Sequence, residues 1–288
     1  MKIILIGKNG QLGQELLAKF TENSYEVYSF GHEDLDIRDF DKVRAIVEAC
    51  NPDYVINTSA QHATLDSEKH PKNPFNVNAF AVKNLATLCK EKNIRFITYS
   101  SDYVFDGTKG PYKENDRQSP VQLFGISKYI GEIMALNYNP EAIIIRTCGL
   151  YGGLTGSRSK KNFVLNILDE AKNKEKINVS LEQIVSPTYA LDLAIATCRL
   201  IEKPIKGGIY NLVNEGYCSW AEFTEEIMRL RGLKIKIAYI DRKGISGGLR
   251  RPLFSGLVNV KGKKHGIELP HWKDALKRYL DYLSLNNV

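Results

Sequence analysis

The chain has 288 residues, of which 43% are hydrophobic and 25% are charged. This is the composition of an ordinary globular protein that is long enough to bury a sizeable core. The formal net charge is +7, but the 40 basic residues are scattered among 33 acidic ones, so no nucleic-acid partner is predicted. No segment approaches the roughly eighteen consecutive apolar residues of a membrane-spanning helix, so no membrane span is predicted.

The five cysteines are far apart in the sequence, and no two of them form a C-x-x-C pair. Together with the odd count, this spacing predicts reduced thiols in a cytoplasmic protein, with neither disulfides nor zinc. The histidines show no metal-ligand spacing either, so no metal site is predicted.

Short apolar runs alternate with helical segments through the first half of the chain. The runs are continuously apolar, which is typical of parallel strands that are buried on both faces. The alternation predicts an α/β fold with a Rossmann-type, doubly wound parallel sheet. The predicted strands are Ile3–Ile6, Glu26–Phe30, Tyr54–Asn57, Phe96–Tyr99 and Ala142–Arg146. The predicted helices are Gln11–Phe20, Phe40–Ala49, Asn76–Glu91 and Pro120–Asn137.

The second half of the chain mixes helical and strand patterns with a weaker rhythm. Gly208–Val213 and Lys234–Ile240 are predicted to be short strands. We therefore predict a dinucleotide-binding domain over residues 1–150 and a mainly substrate-binding α/β lobe over residues 151–288. Some later segments are expected to return to the first sheet, and the cleft between the lobes is the expected ligand site.

Three glycines form a turn between the first predicted strand and the first predicted helix. Gly7, Gly10 and Gly13 have the spacing G-x-x-G-x-x-G. Glycines at these positions allow a tight turn and let backbone N–H groups approach a pyrophosphate at the helix N-terminus. This context predicts a dinucleotide site. No acid immediately ends the second predicted strand, while Lys8 and His32 are nearby, which favours NADP over NAD.

Two motifs in the middle of the chain carry reactive side chains. SSDYVFDG follows the fourth predicted strand, and GISKYIGE lies in the helix after it. With the glycine turn, they resemble the extended short-chain dehydrogenase/reductase family and, within it, the dTDP-4-dehydrorhamnose reductases. The resemblance runs over nearly the whole length and includes VINTSA at residues 55–60 and RRPLFSGL at residues 250–257.

The resemblance implies a reaction and three catalytic positions. The reaction is hydride transfer from the reduced cofactor, NADPH or NADH, to the C4 ketone of a nucleotide-linked 6-deoxyhexose. This reaction would belong to surface polysaccharide synthesis. In the family, a Thr or Ser polarises the carbonyl, a Tyr donates the proton and a Lys grips the nicotinamide ribose. The matching residues are Ser101, Phe124 and Lys128. The last two share one face of a helix that Ser119 is expected to cap, with Pro120 first in it.

Phe124 stands where the family has its proton donor, and a phenyl ring cannot donate a proton. Loss of a general acid typically lowers a rate by about 10²–10⁴. Three explanations are open at this point. The chain is a Tyr→Phe variant made to trap a complex, or it takes its proton from Ser101, Tyr103, His62 or water. Alternatively, it is a cofactor-binding protein that has lost turnover and acts as a regulatory or partner subunit.

The resemblance also assigns residues to the cofactor and to a nucleotide-sugar substrate, whose negative charge suits the basic chain. Arg251 is included because an arginine fork matches phosphate oxygens. The sequence leaves a homodimer open. The predicted cofactor-binding residues are Gly7, Asn9, Gly10, Gln11, Leu12, Gly13, Asp36, Ile37, Ser59, Ala60, Asn78, Ser100 and Lys128. The predicted substrate-binding residues are Asp102, Tyr103, Val104, Arg146, Trp220 and Arg251.

Overall fold

The structure is a computed structural model that describes residues 1–153, 161–240 and 249–287. Its strands are β1 (Lys2–Ile6), β2 (Glu26–Phe30), β3 (Tyr54–Asn57), β4 (Arg95–Ser101), β5 (Ile143–Thr147), β6 (Leu150–Tyr151), β7 (Lys176–Ser180), β8 (Ile184–Val185), β9 (Thr188–Tyr189), β10 (Gly208–Asn211), β11 (Cys218–Ser219) and β12 (Lys236–Ile240). Six of them form the central sheet, in the order β2-β1-β3-β4-β5-β10. Every neighbouring pair in this sheet is parallel, as the buried apolar runs predict.

The helices surround this sheet and a smaller second core. They are α1 (Gln11–Glu22), α2 (Phe40–Cys50), α3 (Thr64–Lys69), α4 (Lys72–Phe75), α5 (Ala81–Glu91), α6 (Leu123–Tyr138), α7 (Phe163–Asn173), α8 (Ala190–Ile201), α9 (Trp220–Arg231) and α10 (Trp272–Leu285). A π-helical turn, Asn76–Phe80, leads into α5, and a 3₁₀ turn, Asp102–Val104, follows β4 directly.

The sheet is covered on both faces because its side chains alternate between two cores. Ile3 and Leu5 of β1 pack with α1 and α8 on one face. Ile4 and Ile6 pack with α2 and α5 on the other face. All four side chains are buried. The predicted α/β fold with a doubly wound parallel sheet is confirmed.

Two predicted helices differ from the observed ones at their N-terminal ends. The helix expected from Pro120 begins at Leu123, because the side chain of Gln122 caps it by accepting the N–H groups of Phe124 and Gly125. The prediction that Ser119 caps this helix is therefore wrong. The segment expected to be one helix over Asn76–Glu91 starts as the π-helical turn and continues as α5.

The second half of the chain contributes both to the central sheet and to a second apolar core. β10 pairs with β5 at the edge of the central sheet, although it comes late in the sequence. The remaining strands and helices enclose a second apolar cluster that includes Tyr151, Phe223 and Tyr279. The two predicted short strands are shorter than expected, since β10 ends at Asn211 and β12 begins at Lys236. The division of the chain near residue 150 stays a prediction.

The composition-based expectations concern thiols, metals and membranes. All five cysteines are free thiols, and four of them are buried. Within residues 1–153, 161–240 and 249–287, no three His, Cys, Asp or Glu side chains form a group that could hold a metal ion. In the same part of the chain, no helix has the length and apolar character needed to cross a membrane.

Candidate active site

A cavity of about 770 Å³ opens at the carboxyl ends of the central strands. Ligands of parallel α/β sheets bind at this edge. The turns after β1 to β5 contribute to its wall, together with α6 and the start of α9. Most of the residues predicted from the sequence lie on this wall. They are Gly7, Asn9, Gly10, Gln11, Leu12, Gly13, Asp36, Ile37, Ser59, Ala60, Ser100, Ser101, Asp102, Tyr103, Phe124, Lys128 and Trp220.

Two of the three glycines in the turn between β1 and α1, Gly7 and Gly13, have no room for a side chain. A β-carbon on Gly7, which has a φ of +95°, would lie 2.4 Å from Thr58 Oγ1. A β-carbon on Gly13 would lie 2.1 Å from the carbonyl oxygen of Gly7. Gly10 is the N-cap of α1 and brings no side-chain cap, and the first turn of α1 has no acidic residue. The helix therefore starts with N–H groups that no side chain occupies, an arrangement that fits the pyrophosphate of a dinucleotide.

The tip of β2 holds a cation and an acid at the cavity wall. Arg38 and Glu33 both line the cavity. The guanidinium of Arg38 donates from Nε to Asp36 Oδ2 at 2.9 Å, and it holds the pKa of that carboxyl below its usual range. Lys8 instead pairs with Asp34 at 2.7 Å and is not on the wall. Lys8 is off the cavity wall, so its expected contribution to NADP preference has no support in its position and stays a prediction.

Lys128 places an ammonium group beside the end of β4. Its Nζ donates to the carbonyl oxygen of Tyr99 at 2.8 Å. The residue is only 7% exposed, and this burial lowers the pKa of Lys128 to about 8, against the opposing negative charge of Glu132. The group is therefore still mostly charged at neutral pH, and it lies where it can bind a hydroxyl group in the cavity.

Ser101 connects the cavity to a buried carboxyl. Its Oγ donates to Asp102 Oδ1 at 2.9 Å and accepts the N–H of Tyr103 at 3.2 Å. Asp102 is 4% exposed, and burial raises the pKa of its carboxyl. Polar groups of Ser101, Ser255 and Cys148 beside the carboxyl oppose that rise. The hydroxyl with the predicted carbonyl-polarising role is thus hydrogen-bonded to a carboxyl whose pKa is raised by burial.

Phe124 lies on the cavity wall one helical turn before Lys128. Its ring meets the ring of Tyr103 edge-on, with centroids 6.0 Å apart at an interplanar angle of 75°. The next residue, Gly125, lets α6 approach this turn closely, since a β-carbon there would lie 2.1 Å from the carbonyl oxygen of Tyr103. Position 124 is therefore well fixed, but its side chain brings apolar surface and no titratable atom.

The second half of the chain closes the cavity with aromatic surface. Trp220, the first residue of α9, packs on Phe163 with ring centroids 4.2 Å apart. A β-carbon on Gly149 would lie 3.2 Å from Trp220 Cη2, so the turn after β5 passes close beneath the indole. Trp220 and Val185 face the same cavity as Ser101. A flat aromatic wall of this kind suits a sugar or a nucleobase.

Residues 1–285 match the sequence model of a family described as the RmlD substrate binding domain. The chain belongs to this family. The spore coat polysaccharide biosynthesis protein SpsK of Bacillus subtilis (strain 168) is 34% identical over 281 residues, which are 97% of this chain and 96% of that protein. A dTDP-4-dehydrorhamnose reductase of Aggregatibacter actinomycetemcomitans is 34% identical over 298 residues, covering 98% of this chain and 99% of that protein.

Solved structures agree with this membership. The dTDP-4-dehydrorhamnose reductase of Bacillus anthracis str. Ames, solved in complex with NADP, has a TM-score of 0.92 and 29% identity to this chain. The similarity covers 98% of this chain and 99% of that one. The family resemblance predicted from the glycine turn and the two central motifs is confirmed.

Two residues expected at the substrate lie in the core of this member of the RmlD family. Arg146 is fully buried, where its Nε and Nη2 donate to the two carboxylate oxygens of Glu132 at 2.8 and 2.6 Å. Val104 is also fully buried and packs in an apolar cluster with Phe105. Neither residue lies on the cavity wall. Their placement contradicts a direct substrate contact, because protein atoms enclose both side chains.

Two further predicted site residues do not line the cavity wall. Asn78 is buried behind it, where its amide accepts the N–H of Gln61 and donates to Gln61 O and Ser127 Oγ at 2.9 to 3.0 Å. Asn78 therefore positions the wall residue Gln61 and does not itself face the cofactor side. Arg251 is partly exposed and away from the wall, so the predicted phosphate contact has no support in its position.

Several wall residues were not predicted as site residues. Thr58 lies between Asn57, where the third predicted strand ends, and the predicted site residue Ser59. Gln61 follows in the same turn. Thr147 ends β5, and Cys148 and Gly149 follow it. Their place at the carboxyl end of a parallel strand was a usable signal, because such strand ends meet at one edge of the sheet. No comparable local pattern marked Val185. Its place on the wall depends on how the second half packs against the sheet.

Proposed function

We propose that this protein is an NAD(P)H-dependent reductase of a nucleotide-activated 4-keto-6-deoxy sugar in deoxysugar and surface polysaccharide biosynthesis. The main support is that the glycine turn, Ser101 and Lys128 line one cavity that Trp220 closes from the other half of the chain. The relatives named for dTDP-4-dehydrorhamnose reduction and for spore coat polysaccharide synthesis support the same substrate class.

The residues present fit a nicotinamide dinucleotide. The cofactor, when bound in its reduced form, supplies the hydride. The glycine turn and the start of α1 would hold the pyrophosphate through backbone N–H groups, since the N-cap Gly10 brings no side chain to occupy them. Arg38 would lie toward the adenosine ribose and Lys128 toward the nicotinamide ribose. We retain both NADP and NAD, because Arg38 favours a phosphate and Glu33 favours a hydroxyl.

The other end of the cavity would bind the sugar. Ser101 Oγ is the hydroxyl available to polarise a carbonyl group, and Lys128 adds positive charge nearby. Trp220 offers a ring surface to the sugar or its base. The excess of 40 basic over 33 acidic residues favours approach of a substrate with a diphosphate.

The decisive experiment is NADPH oxidation with a dTDP-4-keto-6-deoxyhexose, run on this protein and on Phe124→Tyr. We expect oxidation by both proteins, with the Tyr variant at least about tenfold faster because it regains a general acid. Phe80→Tyr is a matched control, since Phe80 is exposed outside the cavity and its extra hydroxyl should change nothing.

The possible results separate the explanations of Phe124. Oxidation only by Phe124→Tyr would identify a reductase that is inactive because it lacks the tyrosine hydroxyl group. No oxidation by either protein, despite measured NADPH binding, would contradict the reductase proposal for that substrate. The protein would then be a cofactor-binding partner subunit.

We also propose that the protein acts in the cytoplasm as a homodimer and binds no nucleic acid. Five free thiols suit a reducing compartment such as the cytoplasm. A nicotinamide cofactor and a nucleotide sugar would also be available there. Ile133 and Tyr138 are exposed apolar side chains on α6, and Lys83 of α5 lies against the ring of Tyr138. Analytical ultracentrifugation distinguishes a dimer from a monomer.

A further inference from the structure

Phe124, which has no proton to donate, lines the same cavity as a hydrogen-bonded serine–aspartate pair. Phe124, Ser101 and Asp102 all line the wall. Ser101 Oγ and Asp102 Oδ1 are 2.9 Å apart, which is a good distance for proton transfer between them. The pair ends β4 and begins the 3₁₀ turn, against which α6 packs.

We propose that Ser101 donates the proton to the developing alkoxide and that Asp102 resupplies it, so that this pair replaces the phenol missing at position 124. This inference rests on the proposed reductase function. It assigns Asp102 a positioning and proton-storing role behind the catalytic hydroxyl of Ser101.

The direction of the Ser101–Asp102 hydrogen bond depends on the protonation of Asp102. A carboxylate can only accept, so it draws the hydroxyl proton of Ser101 away from the cavity. A neutral carboxyl can donate its own proton to Ser101 Oγ. The hydroxyl proton of Ser101 is then free to point at a carbonyl or alkoxide oxygen in the cavity. Only the protonated form of Asp102 therefore makes Ser101 a proton donor.

The surroundings of Asp102 favour that neutral form. The groups that face the carboxyl are the Ser101 hydroxyl from β4, the Cys148 thiol from the turn after β5 and the Ser255 hydroxyl. Lys128 is the titratable wall residue on the packed helix α6, and its Nζ is directed to the carbonyl of Tyr99. Burial raises the pKa of the Asp102 carboxyl and outweighs the polar groups beside it.

The proposed step conserves atoms and charge. The ketone is reduced, and the dihydronicotinamide oxidised, as hydride forms a C–H bond at the carbonyl carbon and the C–O π bond opens to an alkoxide. A proton moves from Ser101 Oγ to that oxygen while the carboxyl proton of Asp102 moves to Ser101 Oγ. Asp102 is left as a carboxylate, and it regains a proton from water after the product alcohol has left.

The first test is Asp102→Asn, an isosteric change that keeps a hydrogen-bond partner for Ser101 but removes the transferable proton. We expect kcat to fall about 100-fold in the Phe124 protein. In the Phe124→Tyr background, the same change should cost less than about tenfold, because the phenol donates the proton. Asp106→Asn is the matched control, since Asp106 lies four residues further on and away from the cavity wall.

The pH profile gives a second readout. Asp102 is protonated below its raised pKa and ionised above it, so kcat should fall as pH rises through that value. This decline should disappear in Asp102→Asn, which leaves only the loss of the Lys128 charge at higher pH. Infrared difference spectra of the cofactor-free protein against Asp102→Asn should show a protonated carboxyl well above pH about 3.9, the ordinary pKa of aspartate.

Three results would overturn the inference. One is a carboxyl at position 102 that is fully ionised at its ordinary pKa in the infrared titration. Another is an Asp102→Asn protein that keeps the wild-type kcat and pH profile. The third is a loss of kcat and of the pH-dependent decline in Tyr103→Phe instead, which would make the neighbouring phenol the donor. In each case, activity of Phe124→Tyr would leave the proposed function standing. Inactivity of both this protein and Phe124→Tyr would contradict the proposed function and, with it, this inference.

Discussion

The two ends of the cavity are built in different ways. At the β1 end the wall is main chain, and its shape depends on the absence of side chains at Gly7 and Gly13. At the other end the wall consists of side chains from separate elements, among them Ser101 of β4, Lys128 of α6 and Trp220 of α9. The first end is local in sequence, whereas tertiary packing assembles the second.

This difference determines where the protein tolerates change. Phe124 differs from tyrosine by one oxygen atom, and its ring still packs edge-on against Tyr103. We therefore expect that a hydroxyl can be added or removed at position 124 without moving the wall. A single added methyl group at Gly13 would instead meet backbone atoms, which cannot rotate out of the way. Cofactor binding is therefore the rigid part of this site, and proton donation is the variable part.

The largest expected effect is at the floor of the side-chain end, in Arg146→Met. Arg146 and Glu132 form a fully buried, two-point ion pair beneath the β4 and β5 strand ends. Removal of Arg146 alone leaves the Glu132 carboxylate buried without its partner, which typically costs about 3–5 kcal/mol. We expect a fall of that size in the free energy of unfolding, measured by urea denaturation.

The double variant Arg146→Met/Glu132→Leu shows whether Arg146 is structural. Replacing both charges with apolar groups should recover most of the lost stability, because no unpaired charge remains in the core. Its KM for the nucleotide sugar should equal that of the wild type. A stable double variant with a greatly raised KM would restore Arg146 to the substrate site.

An intermediate effect is expected at the main-chain end, in Gly13→Ala. The added β-carbon would lie 2.1 Å from the carbonyl oxygen of Gly7 and 2.9 Å from Lys8 Cα. Relief of this overlap requires the turn to move, and we expect a loss of about 1–3 kcal/mol in the stability of the cofactor-free protein. NADPH binding, followed by fluorescence, should fall with it.

Gly10→Ala separates the fold of the turn from its contact with the ligand. A β-carbon on Gly10 would have its nearest neighbour, the carbonyl oxygen of Gly7, at 3.4 Å, and the φ of Gly10 is an ordinary −77°. Gly10 is the N-cap of α1, where glycine is preferred over alanine, so the cofactor-free stability should fall by only about 0.5–1 kcal/mol, less than in Gly13→Ala. Any loss of NADPH affinity then reports a contact with the phosphates. Equal destabilisation by both alanines would refute this account of the turn.

The main-chain end was largely readable from the sequence. A strand, a glycine turn and a helix follow one another within the first 22 residues, and the same local steric rule dictates both the pattern and the structure. The buried strands were equally readable, because continuous apolar runs in this order leave few alternatives to a parallel sheet. Arg38 was missed, since no local pattern says which charged residue beyond β2 turns toward the cavity.

The side-chain end was readable only as far as motifs and resemblance reached. Ser101 and Lys128 were placed correctly on the wall, but Arg146 was not. An arginine at the end of β5 looks like a ligand for phosphate until Glu132, fourteen residues earlier, is seen against it. The helix cap was also misplaced, because Gln122 is a weaker sequence signal than Ser119, yet its side chain accepts the N–H groups of Phe124 and Gly125.

The smallest expected effect concerns Lys128, at the side-chain end of the cavity. Burial lowers the pKa of this residue to about 8, so its ammonium is charged below that pH and neutral above it. A charged hydrogen bond to a ribose hydroxyl weakens when the charge is lost, and we expect NADPH affinity to fall by about tenfold as pH rises through this range. Fluorescence titrations of the cofactor at a series of pH values measure this directly.

Lys128→Met supplies the matched comparison. Methionine fills similar space without a charge, so the variant should bind NADPH weakly at every pH and show no decline near pH 8. Since Gly7, Gly10 and Gly13 contain no titratable side chain, the glycine turn itself contributes nothing to such a pH dependence. A wild-type affinity that stays constant to well above pH 8 would mean that Lys128 does not touch the cofactor, and that the glycine turn holds the dinucleotide without help from α6.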